Sequence, residues 1–279
     1  MRVCNEFLVG ADPEFLVRAP GGDEIVNLQE FLPNGLKTKL GYDHSGWVGE
    51  CRPSPSTSTF EVVKDLRQTI LRMNPENYVA LHNAGKWEAG GGKYYQGWDR
   101  LVSLGGHLHF GLEIRETPPS PYWPREQTLR GSRGIECLDR ITGGLEFLDI
   151  LPQQESATRR RLTGYGSFGE IRFNGEAHFE YRSMASWLAH PETALLVLTL
   201  GKLAMRFPIS LHKCLPSAPG EFTEGLLAEV VHRGAQRHAD DDCRILWEQV
   251  FGEGRKLQHD YSADFREAWR EMKLGKARD

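Results

Sequence analysis

Cysteine is scarce in this chain and never spaced to act in concert. The five cysteines, Cys4, Cys51, Cys137, Cys214 and Cys243, are odd in number, scattered, and contain no CxxC pair. That excludes a disulfide scaffold and a structural zinc knuckle. A run of about eighteen apolar residues, the length of a membrane-crossing helix, is also missing. The opening MRVCNEFLVGADPEF lacks a basic start followed by an apolar segment, so a cytoplasmic protein is expected. Basic residues are in slight deficit: 34 Lys and Arg stand against 38 Asp and Glu, a formal charge of -4. Nucleic acid and anionic membranes therefore exert no general attraction. GxxxxGK[ST] is absent, which removes the Walker phosphate loop, and no internal repeat or low-complexity tract is present.

What is there can build a sizeable core: 279 residues, of which 39% are hydrophobic and 26% charged. A single domain over 1–279 is expected, with a sheet-bearing region about 5–190 and a helical region about 191–279. From Glu6 to Arg18 the chain alternates around Phe7, Val9, Phe15 and Val17 and meets APGG, predicting a strand that turns into a hairpin toward Asn27. GWVGECRP predicts a short strand feeding a helix, in which Val62, Val63, Leu66, Ile70 and Met73 fall at helical spacing. A strand is predicted over Val102 to Ile114, a helix over Ile135 to Leu151 despite Gly143 and Gly144, and two strands around IRF and HFEYR. Helices are predicted over Thr193 to Phe207, Thr223 to Arg233, Asp241 to Phe251 and Ala263 to Lys273. Strands first and helices last predict an α+β fold with a largely antiparallel sheet.

Four chemical pairs recur with period two, the spacing that aims two strand side chains the same way. They are Asp12 and Glu14 in GADPEF, Glu50 and Arg52 in GECRP, His107 and His109 in GGHLHFG, and Glu180 and Arg182 in FEYRS. Phe15, Leu108, Phe110, Phe179 and Tyr181 occupy the alternate positions and are expected to face a core, which puts the pairs on the opposite face of one sheet. Taken singly, each pair also fits a solvated strand face or a plain ion pair. Together, carboxylates from different strands plus imidazole match the donors that hold Mg²⁺ or Mn²⁺, while thiolates, which would favour zinc, are absent from the set. Gly105, Gly106 and Gly111 remove bulk beside the histidines, as where a ligand or backbone comes close. Pro13 demotes the first strand to an edge or a bulge.

RRRLTGYGSFGEIR joins Arg159, Arg160 and Arg161 to a glycine-rich turn and ends in Arg172. Such turns expose N–H groups to anions, and the guanidinium fork matches phosphate or carboxylate oxygens. A polyanion is the guest this chemistry suits, with a solvated basic face as the plain alternative. The loop from Glu88 to Arg100, with Tyr94, Tyr95 and Trp98, is a candidate lid by composition.

In their order, GADPEFLV, GECRPSPS, GGHLHFG, RRRLTGYGSFGEIR and FEYRSMASWL resemble the carboxylate-amine ligases of the glutamine synthetase and γ-glutamylcysteine ligase superfamily. In particular they resemble the phage-associated amidoligase group COOH-NH2 ligase type 2, and the resemblance covers about residues 10–190. It implies an antiparallel sheet forming an active-site funnel with helices on its outer face, and ATP with Mg²⁺ or Mn²⁺ as cofactors. Asp12, Glu14, Glu50 and Glu180 then become metal-ligand candidates, joined by His107 or His109. By the same resemblance Arg182 stands near the transferring phosphoryl group, Arg172 and one of Arg159, Arg160 and Arg161 meet phosphate or the substrate carboxylate, and Glu180, Arg172 and Arg182 form the catalytic set. Small-molecule or peptide carboxylates and amines are the implied partners, in the host cytoplasm for a phage-encoded chain. Asp-Pro-Glu stands where related enzymes often carry Glu-x-Glu. Two other readings compete: a cupin-like metal enzyme, because HLHFGLE spells His-x-His followed by Glu113, and a non-catalytic binding or virion-associated protein of the same fold.

Overall fold

Pro13 decides how the chain enters its sheets. Its nitrogen has no hydrogen for a ladder, and the stretch expected as one strand is divided into β1 (Phe7–Ala11) and β2 (Glu14–Arg18), which belong to different sheets. The computed structural model describes residues 7–18, 27–31, 39–43, 46–72, 79–81, 104–112, 132–151, 153, 156–157, 160–161, 164–174, 178–238, 240–252 and 269–270. Three further strands join β1: β6 (Leu108–Leu112), β7 (Ile171–Phe173) and β8 (His178–Tyr181), in the order β1-β6-β8-β7. A second sheet has the order β3-β4-β2-β5, from β3 (Leu40–Asp43), β4 (Val48–Cys51) and β5 (Val79–Leu81). All ladders among the described residues are antiparallel.

The fold is thus mixed α and β with antiparallel sheets, but the expectation of one sheet carrying all four polar pairs is corrected. The pairs are divided between two sheets because Pro13 interrupts the first strand. Backbone bonds stitch the seam: Cys51 N–H donates to the Pro13 carbonyl at 3.1 Å and Glu14 N–H to the Gly105 carbonyl at 2.9 Å. The hairpin after Arg18 and the lid loop from Glu88 to Arg100 lie outside the described residues.

Facing the core of the first sheet, Val9, Phe110, Phe179 and Phe173 stand opposite one another in register. Directly opposed residues share a face, and the Phe110 and Phe179 rings stack with centroids 5.2 Å apart. On the other face the corresponding row is Gly10, His109, Glu180 and Arg172. The alternation of aromatic and chemical residues in the sequence therefore becomes two faces of a sheet.

Helices cover the aromatic face. After the short α1 (Leu28–Phe31), α2 (Thr59–Arg72) buries Val62, Val63, Leu66 and Ile70 of the stripe its spacing predicts, together with Phe60, while Met73 lies outside the described residues. α3 (Arg133–Phe147) runs through Gly143 and Gly144, and Thr142 on it hydrogen-bonds Tyr181 of β8 at 3.0 Å. α4 (Pro191–Arg206) is buried on nearly every side, and Gly201 brings it onto the sheet: a Cβ there would sit 2.7 Å from Leu108. α5 (Pro208–His212), α6 (Glu224–His238) and α7 (Asp241–Leu246) follow, and α7 runs into a π-helical turn at Trp247–Phe251. Of the helix expected over Ala263 to Lys273, residues 269 and 270 are described; both are helical and Trp269 is fully buried, donating to the Leu188 carbonyl at 2.8 Å.

A buried charge cluster ties the late helices to α2. Asp242 accepts from Ser58 Oγ at 2.7 Å and the Thr59 N–H at 3.0 Å, capping α2 from a distant part of the chain, and pairs with Lys202 of α4. Asp240 joins the cluster, 2.9 Å from Arg206 and 3.4 Å from Lys202. Removing one member of such a buried pair leaves the other charge uncompensated. Asp242→Ala is expected to lower unfolding free energy by about 3–5 kcal/mol in urea titrations; a loss below about 1 kcal/mol, the value of an exposed pair, would refute that role.

Candidate active site

Asp12 is the hub of the site. It lies just before the proline that separates the sheets and is nearly buried. Its Oδ1 is 3.0 Å from His107 Nδ1 and 2.8 Å from His109 Nε2, and its charge bears on Glu50 of the second sheet. His107 Nδ1 is also 3.2 Å from Glu180 Oε1. Ligand atoms of Asp12, His107 and Glu180 all lie within 4.8 Å of one another. Of the two histidines it is therefore His107 that meets two carboxylates at once. His109 reaches instead from Asp12 to His178, whose Nε2 is 2.8 Å from His109 Nδ1 with the rings stacked.

Close backbone packing places His107. A Cβ on Gly105 would fall 2.1 Å from His107 Nε2, and one on Gly106 would collide with the Trp187 ring and the Ala185 carbonyl. Both glycines are thus required by space, as their position beside the histidines suggested. Trp187 Nε1–H donates to the Gly106 carbonyl at 2.9 Å, and Gly105 N–H donates to Glu14 Oε2 at 2.5 Å. Glu14, expected among the metal ligands, is turned to this amide and is not part of the three-residue cluster.

Glu180 carries the positive side of the site. It is fully buried, with Arg172 at 2.5 Å from Oε2 and Arg182 Nε at 3.2 Å from Oε1. Neither carboxylate oxygen has a hydrogen bond in acceptable geometry, although two guanidinium groups and the His107 imidazole stand around it. A buried carboxylate in that state favours a cation beside it. Two carboxylates and one imidazole are also the hard and borderline donors that suit Mg²⁺ or Mn²⁺. The residues present fit such an ion.

The basic turn behaves differently from its reading as a phosphate cradle. Arg160 is held in a two-pronged pair with buried Glu146 and stacks its guanidinium 4.7 Å over the Phe168 ring. Arg161 is exposed, and Arg159 lies outside the described residues. Turn amides are used internally: Gly166 and Ser167 N–H donate to Glu170 Oε2 at 2.6 and 3.1 Å, and Gly169 N–H to Asp139 at 2.7 Å. Glu170 in turn lies 3.3 Å from Arg182. Sequence reasoning missed two site residues. His178 continues the period-two series two positions before Glu180, a signal that was present. Tyr165, which hydrogen-bonds His107 Nε2 and lies 4.5 Å beneath the Arg182 guanidinium, sits in an irregular turn where no periodicity marks it.

Electrostatics follow from this crowding. Burial opposes ionisation of Asp12, but hydrogen bonds and charge from His107 and His109 outweigh it and hold its pKa far below the usual carboxylate range. Burial likewise opposes protonation of His107, yet Asp12, Glu14 and Glu180 raise its pKa overall. Burial, and then the neighbouring Asp12 carboxylate, push Glu50 up to about 7 against the opposing pull of Arg52. His178 is lowered by burial and by His109.

Residues 9–117 and 137–218 match the phage phiEco32-like COOH.NH2 ligase type 2 family. The chain belongs to this family. No curated protein matches it in sequence. Among solved structures it is similar to a bifunctional glutathione synthetase from Pasteurella multocida, with a TM-score of 0.49 and 10% identity over 88% of this chain and 46% of that one. The chain thus spans about half the length of that enzyme. Among the described residues no helix is long and apolar enough to cross a membrane. The matched family segments contain Asp12, Glu14, Glu50, both strand histidines and the turn through Arg182.

Glu50 makes the electrostatics testable without metal. Folding raises its pKa from 4.5 to about 7, so the folded chain holds this proton more tightly than the unfolded chain. Its contribution to stability is complete below the unfolded value and is lost as pH rises through the folded one. Melting temperatures of the metal-free protein are expected to fall across that window, with Glu50→Gln flattening the slope. Parallel pH profiles for the two proteins would contradict the assignment.

Proposed function

We propose that this chain is an ATP- and divalent-metal-dependent carboxylate-amine ligase with an acyl-phosphate intermediate, built as a single glutamine synthetase-like domain around a sheet funnel. Membership of the COOH.NH2 ligase family supports amide-bond formation. The observation that carries the finer reading is the buried Asp12, His107 and Glu180 cluster with Arg172 and Arg182 against the Glu180 carboxylate. In such a reaction a substrate carboxylate oxygen attacks the γ-phosphorus of ATP and ADP leaves. An amine then attacks the acyl carbon, phosphate leaves with the C–O bonding pair, and the amine loses a proton.

Phosphoryl transfer calls for positioning and charge stabilisation more than for a protein nucleophile. Asp12, His107 and Glu180 would hold the divalent ion, with Glu50 next to Asp12. A bound ion would neutralise phosphate charge and polarise the phosphoryl oxygens. Arg182 and Arg172, fixed on Glu180, supply guanidinium groups at the edge of the same face, where phosphate oxygens or a substrate carboxylate can be met. The packed aromatic face beneath keeps these groups at fixed separations. Family membership takes the place of the cupin-like reading, and the two histidines, though both beside Asp12, differ in their second partner, Glu180 for His107 and His178 for His109.

ADP release from ATP and Mg²⁺ in a mixture of amino acids or polyamines tests the reading. Wild-type protein is expected to release ADP and to melt higher with ATP and Mg²⁺ together than with either alone. Glu180→Gln should lose turnover by at least about a hundredfold, in the range of removing one transition-state charge contact, while its circular dichroism is kept. Full turnover in Glu180→Gln would remove the proposed role, and absence of any nucleotide or metal effect on the wild type would favour a non-catalytic binding protein.

A further inference from the structure

Tyr165 joins the two halves of the site. It sits between Gly164 and Gly166, whose φ values of 69° and 79° are left-handed backbone that favours glycine. The turn around it is fastened at several points: the amides of Gly166, Ser167 and Gly169 are bound by Glu170 and Asp139, Ser183 Oγ donates to the Ser167 carbonyl at 2.6 Å, and Arg182 N–H donates to the Glu170 carbonyl at 2.9 Å. From this anchored turn the Tyr165 hydroxyl hydrogen-bonds His107 Nε2, and its ring lies beneath the Arg182 guanidinium.

The two nitrogens of His107 thus have different neighbours. Nδ1 lies between Asp12 and Glu180, whereas Nε2 meets the tyrosine. An imidazole that gives the Nδ1 lone pair to a cation carries its proton on Nε2, and an acceptor for that proton fixes both the tautomer and the ring orientation. We propose that Tyr165 is a positioning residue: its hydroxyl oxygen accepts the His107 Nε2 proton and aims Nδ1 at the cation position, while its ring holds Arg182 against Glu180. One side chain then couples the cation ligand to the arginine on the phosphoryl side. The inference rests on the ligase reading only through its divalent cation at Asp12, His107 and Glu180.

Mn²⁺ titrations of the full chain, followed by electron paramagnetic resonance of the free ion, test this apart from activity. Wild type is expected to bind Mn²⁺, His107→Ala to lose that binding, and Tyr165→Phe, which keeps the ring, to weaken it about ten- to a hundredfold. Wild-type affinity in folded Tyr165→Phe would overturn the hydroxyl's role and leave the cation site standing. Absence of Mn²⁺ binding by the wild type would remove the cation site and this inference together. Tyr165→Ala should raise KM for ATP above that of Tyr165→Phe, and equal KM values would overturn the part assigned to the ring.

Discussion

Asp12 is a carboxylate taken out of water at the seam between two sheets, and the surrounding structure answers the cost of putting it there. A pair of unit charges about 4 Å apart interacts by roughly 4 kcal/mol at the effective dielectric near a protein surface, so a buried anion requires close partners. His107 and His109 supply them from the neighbouring strand, and Glu50 is forced to share the same small space from the other sheet. This arrangement needs Pro13 to end one ladder and start another. It also needs Gly105 and Gly106 to leave room for the His107 ring and for Trp187. Moving any of these backbones by an ångström would separate the carboxylates that now converge.

Rigidity comes from the opposite face. Phe110, Phe179 and Phe173 form an aromatic row over which α3 and α4 pack, and Gly201 lets α4 approach Leu108 closely. The site therefore lies on and at the ends of packed strands: Glu180 and Arg172 are in the sheet, whereas Asp12, His107 and Arg182 each stand one residue beyond a strand end. Asp242 extends the same logic by joining α2, α4 and α7 through one buried carboxylate, which makes the helical layer a single support.

The arginines divide into two kinds according to what they neutralise. Arg172 and Arg182 lie on Glu180 and stay with the chemical face, whereas Arg160 is drawn to Glu146 and stacks on Phe168. A basic triplet in a sequence gives no information about this division, because it depends on which buried carboxylate each guanidinium meets. The glycine-rich turn shows the same effect. Its amides match an anion, but the anions present are Glu170 and Asp139 of the chain itself, and the turn becomes an anchor for Tyr165.

The sequence by itself determined the two faces. Strand side chains alternate by covalent geometry, so the HLHF and HFEYR patterns already separate a chemical face from an aromatic one, and the stripe of α2 follows from helical spacing in the same way. Family membership was legible for a related reason: the motifs keep their order along the chain. Period-two spacing also carried His178, had the series been followed one step further. Tertiary structure alone decided that the pairs lie on two sheets, that His107 rather than His109 meets both carboxylates, that Glu14 serves an amide, and that Tyr165 belongs to the site. These depend on contacts between residues such as 12, 107, 165 and 180, which are far apart in the chain. Local patterns cannot specify them, because no covalent constraint links those positions and only packing brings them within hydrogen-bonding distance.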